Sequence, residues 1–363
     1  MLEFIKWRGD LTFDERELNE IDSMIFCMLS YENFDDFLYS NESLTLQQVS
    51  DIFFKKYTEE ELKNRKTLTS KSYEVLKVMV SSPRYHSLIL SNYTNEIDDE
   101  KNLQFCALTI EYKNKWKYIV FRGTDDTLVG WKEDFMMTYR DEILSQRKAV
   151  EYINKIYNQE SLLLKVIHKY DYYIGGHSKG GNLAIYASGH AHKNFQKRMK
   201  RVDNFDGPGF SSHVWKQESM LNIVNKVNTY IPTMSFFGRM FEHRGKLTVI
   251  KSKQSGFLQH DLYNWFIDVD HFVYDDEENE SSHKAVESLN ELLLEMNHKE
   301  KEELIEGLFE ILKEHEIYTL YDLLKVDVNR SLKIIVELNG LDNQHKKRII
   351  EILKIVFEYS IKK

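Results

Sequence analysis

The stretch Tyr173-Ile174-Gly175-Gly176-His177-Ser178-Lys179-Gly180-Gly181-Asn182 decides how this chain is read. The segment from Tyr170 to Ile174 is apolar and aromatic, as a buried strand would be, and Leu183-Ala184-Ile185-Tyr186-Ala187 reads as a buried helix. Between them lies a G-x-S-x-G turn centred on Ser178. Strand, sharp glycine turn and helix together describe a nucleophile elbow. Gly176 and Gly180 carry no Cβ atoms, so strand and helix can approach closely while Ser178 sits at a strained apex with its Oγ pointing away from the sheet. The N–H of Lys179 then faces the place where an oxyanion would develop.

Further strands are predicted on both sides of the elbow. Before it come 87–93, 103–112 and 116–122, with Lys113-Asn114-Lys115 as a hairpin turn between the last two. After it come 202–205, 229–231 and 247–250. Helices are predicted over 146–167 and near 215–227, and most of 13–82 reads as helical, with apolar residues at helical spacing in 19–29 and 43–55. This alternation predicts an α/β fold with a mostly parallel central sheet covered by helices on both faces. The acidic run 275–280 reads as a solvated boundary, and 282–363 has a helical pattern throughout.

Composition narrows the function classes. The 363 residues are 42% hydrophobic with 21 Tyr and 21 Phe, which suits a globular chain with a large core. A net charge of −9 without a long Lys/Arg block argues against nucleic-acid binding. The opening residues 1–8 lack the apolar core of a signal peptide and soon meet Asp10, Asp14 and Glu15. No stretch reaches the apolar length that spans a bilayer, so a cytoplasmic protein without stable membrane insertion is expected. Cys27 and Cys106 sit among apolar residues and read as small core hydrophobes. Neither metal-ligand spacing nor a glycine-rich phosphate loop occurs, so no cofactor and no metal are expected.

A serine hydroxyl needs a base to remove its proton and an acid to orient that base, usually in the order Ser, acid, His on this kind of scaffold. His260, in Gln259-His260-Asp261 after the last predicted strand, is the expected base, ahead of His243 and His271. Asp206 ends a predicted strand and opens Asp206-Gly207-Pro208-Gly209, which makes it the expected acid, with Asp261 and Glu242 in reserve. The second oxyanion donor is expected from Phe121-Arg122-Gly123-Thr124-Asp125, where Thr124 offers a backbone N–H and a hydroxyl.

Phe121-Arg122-Gly123-Thr124, the downstream Trp131 and Asp134, and Gly-His-Ser-x-Gly-Gly resemble the fungal-type (class 3) lipases. In that family the residue after Arg-Gly is an oxyanion residue, which corresponds to Thr124. The chain is more similar still to a bacterial family of lipase-like α/β-hydrolases (Mbeg-like). That resemblance rests on Asn19 with Asp22, the run 176–182, Asp206-Gly-Pro-Gly, and Gln259-His260-Asp261 with Trp265, and it covers roughly residues 8–320. It implies an α/β-hydrolase fold and serine esterase chemistry on a small-molecule or lipid acyl ester. The expected division is a hydrolase domain over 1–281 and a helical C-terminal subdomain over 282–363, outside the catalytic machinery.

Two departures from the fungal-type pattern stand out. Those lipases place the acid after a later strand, where this chain offers only Ser235, and this directs the choice to Asp206. They usually have an apolar residue after the nucleophile, where this chain has Lys179, a cation that would either meet an anionic substrate or point to solvent. Phe236, Phe237, Met240 and Phe241 are expected in the core, with an acyl pocket or lid as the alternative. Apolar stripes at Leu304, Leu308, Ile311 and Leu312, at Leu332, Ile335 and Val336, and at Ile349, Ile350, Leu353 and Val356 must bury against each other, the main domain or a protein partner. Competing readings of the whole are a non-catalytic hydrolase-fold scaffold that binds a partner, and an acyltransferase or thioesterase using the same triad.

Overall fold

The computed structural model describes residues 1–275 apart from 39–41, 66–70, 126 and 168–169, and beyond them 284, 287–288, 290–291, 295–318 and Arg348. Eight strands form one sheet and lie side by side in chain order. They are β1 (Ser43–Thr45), β2 (Ile89–Asp98), β3 (Leu103–Tyr112), β4 (Trp116–Phe121), β5 (Asp171–His177), β6 (Met199–Phe205), β7 (Val227–Pro232) and β8 (Lys246–Ile250). Strands β1 to β4 pair antiparallel and β4 to β8 pair parallel. The turn at Lys113 and Asn114 has positive φ at both residues (44° and 55°), which closes the β3–β4 hairpin where the polar tripeptide predicts it.

Strand β3 shows why the sheet needs cover on both faces. Leu103, Phe105 and Ala107 point into one core, while Cys106, Leu108 and Ile110 point into the other, following the two-residue period of a strand. Helices α1 (Leu2–Arg8), α2 (Glu20–Leu29), α3 (Leu46–Lys56), α4 (Glu59–Lys63) and α5 (Ser72–Met79) supply buried residues to the second core. The first core is closed by α7 (Leu144–Gln159), which follows α6 (Leu128–Met136), and by α9 (Lys179–His190), which follows α8 (Leu162–Val166). This is an α/β-hydrolase fold, a mostly parallel sheet between helical layers. Cys27 and Cys106 are both buried free thiols.

Three of the predicted helices differ from the expectation, each for a local reason. The helix predicted from residue 43 begins at Leu46, because Thr45 and Gln48 form a capping box and 43–45 pair with β2 instead. The helix predicted over 146–167 breaks after Gln159. There Glu160 turns inward to meet Arg198 at 2.7 Å, and Ser161 caps a new turn. The helix predicted near 215–227 is three short turns, Ser212–Trp215, Glu218–Leu221 and Val224–Lys226. Gln217 between the first two is extended, and its side chain meets His190 Nε2 at 2.9 Å.

A last helix, here α10 (His298–Glu314), buries Leu304, Ile305, Phe309, Ile311 and Leu312. It lies on α6 through Lys132–Glu306 at 2.5 Å and an edge contact of Phe135 with Phe309, and on the turn after α6 through Arg140–Glu302 at 3.1 Å. This part of the C-terminal segment is therefore packed against the helix that follows β4. The expected boundary at 281/282, most of the acidic run 275–280 and the stripes at 332–336 and 349–356 fall outside the described residues.

At the other end of the chain, Asn19 caps α2 and bonds the N–H groups of Ile21 and Asp22. Asp22 is fully buried and takes Arg84 Nε at 2.8 Å and Tyr85 Oη at 2.7 Å. The same guanidinium donates to the carbonyls of Leu11, Arg16 and Glu17. Removing one member of such a buried pair leaves the other charge without compensation. Arg84→Met is expected to lower unfolding stability by about 3–5 kcal/mol, read as the shift of a urea denaturation curve at constant slope.

Candidate active site

Strand β5 runs into the elbow at His177, and α9 begins at Lys179. Ser178 between them has φ +57° and ψ −132°, a left-handed backbone that a residue with a side chain rarely adopts. The glycines permit it. A Cβ on residue 176 would lie 2.1 Å from the carbonyl oxygen of Gly180, and one on residue 180 would lie 2.1 Å from that of Phe121. The Ser178 N–H donates to Phe205 O at 2.9 Å, and its side chain makes no capping bond to α9. The hydroxyl is half-buried at the N-terminal end of that helix, where backbone N–H groups converge.

His260 ends a short 3-10 turn, Gly256–His260, and its Nδ1 lies 2.7 Å from Asp206 Oδ2. Asp206 is buried, follows β6 with φ +53°, and donates its N–H to Tyr230 O. Its other carboxylate oxygen accepts the hydroxyl of Ser235, which in turn accepts the N–H of Gly238 at 2.9 Å. Ser235 thus supports the carboxylate from the position where fungal-type lipases would have their acid. The structure brings Asp206 and His260 together and keeps the reserves elsewhere. Asp261 accepts the N–H of Tyr263, and Glu242 bonds Ser212 and Arg244. His243 is held neutral by burial, its pKa lowered to about 4, and His271 lies beside Asp270.

Lys179 takes neither of the two expected courses. Its side chain is fully buried, and Nζ donates to Glu133 Oε2 at 2.9 Å and to Gln104 O at 2.8 Å. The physical reason is the carboxylate of Glu133, which also accepts the N–H groups of Gln104 and Ser145. These bonds compensate an ammonium that could not otherwise be buried. One residue along α6, Asp134 Oδ2 accepts the hydroxyl of Thr124 at 2.5 Å. Burial pushes the Asp134 carboxyl up to about 7; Lys179 and the Thr124 hydroxyl oppose the rise and Glu133 adds to it. Thr124 follows Gly123, where an added Cβ would lie 3.0 Å from Ser178 Cβ, so the end of β4 abuts Ser178.

Of the apolar cluster, Phe236 and Met240 are buried as expected, while half-buried Phe237 reaches the site. Its ring stands 4.6 Å from that of His260 and 5.7 Å from that of Trp131. Sequence reading missed Tyr31, His177 and Glu133. His177 Nε2 lies 2.8 Å from the backbone oxygen of His260, its Nδ1 lies 2.7 Å from Tyr31 Oη, and the two imidazoles are 4.4 Å apart. A carbonyl only accepts, so Nε2 carries the proton and Nδ1 accepts from Tyr31. Burial holds His177 neutral, its pKa well below the ordinary value. The sequence signals for His177 are its place beside Ser178 and its part in the Gly-His-Ser run. Among the described residues no group of three His, Cys, Asp or Glu side chains could hold a metal ion, and no helix is long and apolar enough to cross a membrane.

The sheet order and the serine elbow define the class as a lipase-like α/β-hydrolase. The Mbeg1-like family model matches residues 79–310, and the chain belongs to that family. Comparison with curated proteins returns no significant match. Similar solved structures include a fungal lipase bound to an inhibitor, with 12% identity and a TM-score of 0.38 over 58% of this chain and 83% of that one. The Rhizomucor miehei lipase–propeptide complex has 12% identity and a TM-score of 0.36, over 59% and 73% of the two chains. The Yarrowia lipolytica Lip2 lipase has 13% identity and a TM-score of 0.29, over 48% and 69%.

The buried Lys179–Glu133 pair makes a direct test of Lys179. Lys179→Met is expected to strand the Glu133 charge and cost about 3–5 kcal/mol of unfolding stability. A solvent-facing lysine would cost almost nothing, and a denaturation curve distinguishes the two.

Proposed function

We propose that the protein is a serine hydrolase that cleaves a carboxylic ester, with a small-molecule or lipid acyl group, through an acyl-enzyme. The observation that carries this reading is the 2.7 Å contact of His260 Nδ1 with buried Asp206, in a chain whose Ser178 is held at a strained elbow. With Nδ1–H donating to the carboxylate, Nε2 is left as the basic nitrogen. Ser178 Oγ attacks the acyl carbon while His260 Nε2 takes its proton, and the carbonyl oxygen gathers negative charge. The backbone N–H groups of Lys179 and Thr124 stabilise that charge. His260 then returns the proton to the leaving alcohol, and a water molecule releases the acid by the same two steps in reverse order.

Phe237 and Trp131 give the neighbourhood of His260 an apolar wall, which favours an acyl chain over a charged acid component. Burial of Lys179 in its pair with Glu133 removes the cation that would have recognised an anionic substrate.

Fluorophosphonate labelling tests the reading. Wild-type protein is expected to be labelled at Ser178 and to turn over nitrophenyl esters, while Ser178→Ala does neither and keeps its fold. His260→Ala should lose about as much activity as Ser178→Ala, with Asp206→Asn slower than wild type but measurable. Equal labelling of Ser178→Ala, or near-normal turnover by Asp206→Asn, would sink the assignment of that residue.

A further inference from the structure

The single turn α8 presents its apolar residues to solvent. Five of the six residues 162–167 are aliphatic, yet only Leu164 packs on the core. Leu162, Leu163, Val166 and Ile167 are 82%, 68%, 75% and 57% exposed. The turn itself is well formed. Ser161 Oγ accepts the N–H of Leu164 at 3.3 Å, and the Ile167 N–H donates to Leu163 O at 3.0 Å. A contiguous aliphatic patch held outward by a formed turn marks an interaction surface, unlike apolar residues scattered singly. We propose that α8 is a docking element that sinks these four side chains into the surface of an anionic phospholipid bilayer.

Charge selects that occupant. The chain carries −9 overall, yet cations surround this turn. Lys165 Nζ lies 4.5 Å over the ring of Tyr157, and His192 stacks on the same ring at 5.5 Å. Tyr157 thereby joins α8 to the short helix Lys193–Arg198, which His192 caps. The carboxylates nearby are already used, Glu160 by Arg198 at 2.7 Å and Asp171 by Lys200 at 3.4 Å. Lys193 and Lys197 are exposed, and with Lys165 they have no carboxylate partner among the described residues. Such lysines attract anionic head groups, while aliphatic side chains beside them enter the boundary of the acyl region. A protein partner fits less well. At roughly 100 Å² per buried aliphatic side chain the patch offers about 300 Å², against the ~800 Å² that each partner of a standard interface buries. Protein interfaces are also poor in lysine and rich in aromatic residues and arginine.

The position of α8 sets the orientation. Ile167 stands four residues before Asp171, where β5 begins, whereas Ser178 follows the far end of that strand. Seven strand residues span roughly 23 Å. The bilayer is therefore met by the end of the sheet away from the proposed catalytic residues. Docking fixes where the protein sits, and it stands independently of the esterase reading.

The experiment is co-sedimentation of the full chain with sucrose-loaded vesicles, either of phosphatidylcholine alone or of phosphatidylcholine and phosphatidylglycerol in equal parts. The chain should bind the mixed vesicles, bind phosphatidylcholine weakly, and lose binding as salt is raised. Leu162→Gln with Val166→Gln should lower partitioning to mixed vesicles by on the order of tenfold or more. Lys193→Gln with Lys197→Gln should lower it by a similar factor, on the order of tenfold, and reduce the preference for mixed vesicles. All four positions are exposed, so an unchanged urea denaturation curve confirms that the fold is kept. Ser178→Ala should bind as wild type does, which separates docking from catalysis.

A second readout reports the contact directly. Cys27 and Cys106 are buried, so Leu163→Cys takes an environment-sensitive fluorophore at that position, and its emission should shift to the blue when mixed vesicles are added. Absence of binding, equal binding to both kinds of vesicle, or binding that survives Leu162→Gln with Val166→Gln overturns the inference. Self-association in free solution that these two substitutions abolish, without vesicle binding, also overturns it and assigns the patch to a second copy of the chain. Vesicle binding by a chain that fluorophosphonate does not label supports the docking and overturns only the esterase reading.

Discussion

No side chain fits at position 180: its Cβ would stand 2.1 Å from the carbonyl oxygen of Phe121. That clearance lets the first turn of α9 rest on the end of β4. A second close approach sits on the other side, where a Cβ on residue 207 would lie 2.2 Å from the carbonyl oxygen of Ser178. The ends of β4, β5 and β6 therefore meet at backbone contact. Each of these ends carries one proposed component: Thr124, Ser178 and Asp206. Asn182, on the first turn of α9, donates to the carbonyls of Pro208 and Gly209 and so fixes the turn after Asp206 to the helix after Ser178.

Beneath this meeting point lies a charge pair. Burying an ammonium and a carboxylate costs several kcal/mol per ion before compensation, so the pair persists only because its hydrogen bonds are satisfied. Glu133 accepts from β3, from α7 and from Lys179 at once, and it is carried by α6. The same helix carries Asp134 on the site side and receives α10 on the outer side. The helix after β4 is thus clamped between the elbow and the C-terminal segment. The C-terminal helix, expected outside the catalytic machinery, touches the helix whose Asp134 holds Thr124.

Much of this was legible in the sequence because local rules and the fold agree. The glycines around Ser178, the turn after Asp206 and the polar tripeptide at 113–115 each specify a backbone shape at their own position. Gln259 and Trp265 turn out to brace the loop that carries His260, with Gln259 Oε1 accepting the N–H of Met234 and Trp265 Nε1 donating to Gln259 O. What stayed hidden is long-range pairing. The partner of Lys179 is 46 residues away and that of His177 is 146 residues away, and no local pattern records such a meeting. An isolated lysine after a serine reads as solvated or substrate-facing until its carboxylate is seen. The breaks at Glu160 and Gln217 have the same origin, since each follows from a tertiary contact that overrides helix periodicity.

The contact from His177 to the backbone of His260 also bears on how the molecule fails when heated. It joins the residue beside Ser178 to the loop 253–264, which is closed at its ends by Lys253 N–H donating to Asn264 O and tied near His260 by the N–H of Met234 donating to Gln259 Oε1. Segments secured in this way open at lower free energy than a paired sheet core. The loop and its histidine would then swing out as a cooperative unit while β4 to β8 remain intact. For the proposed hydrolase, heat would detach His260 before it melts the framework, and the upper limit of activity would lie below the melting temperature.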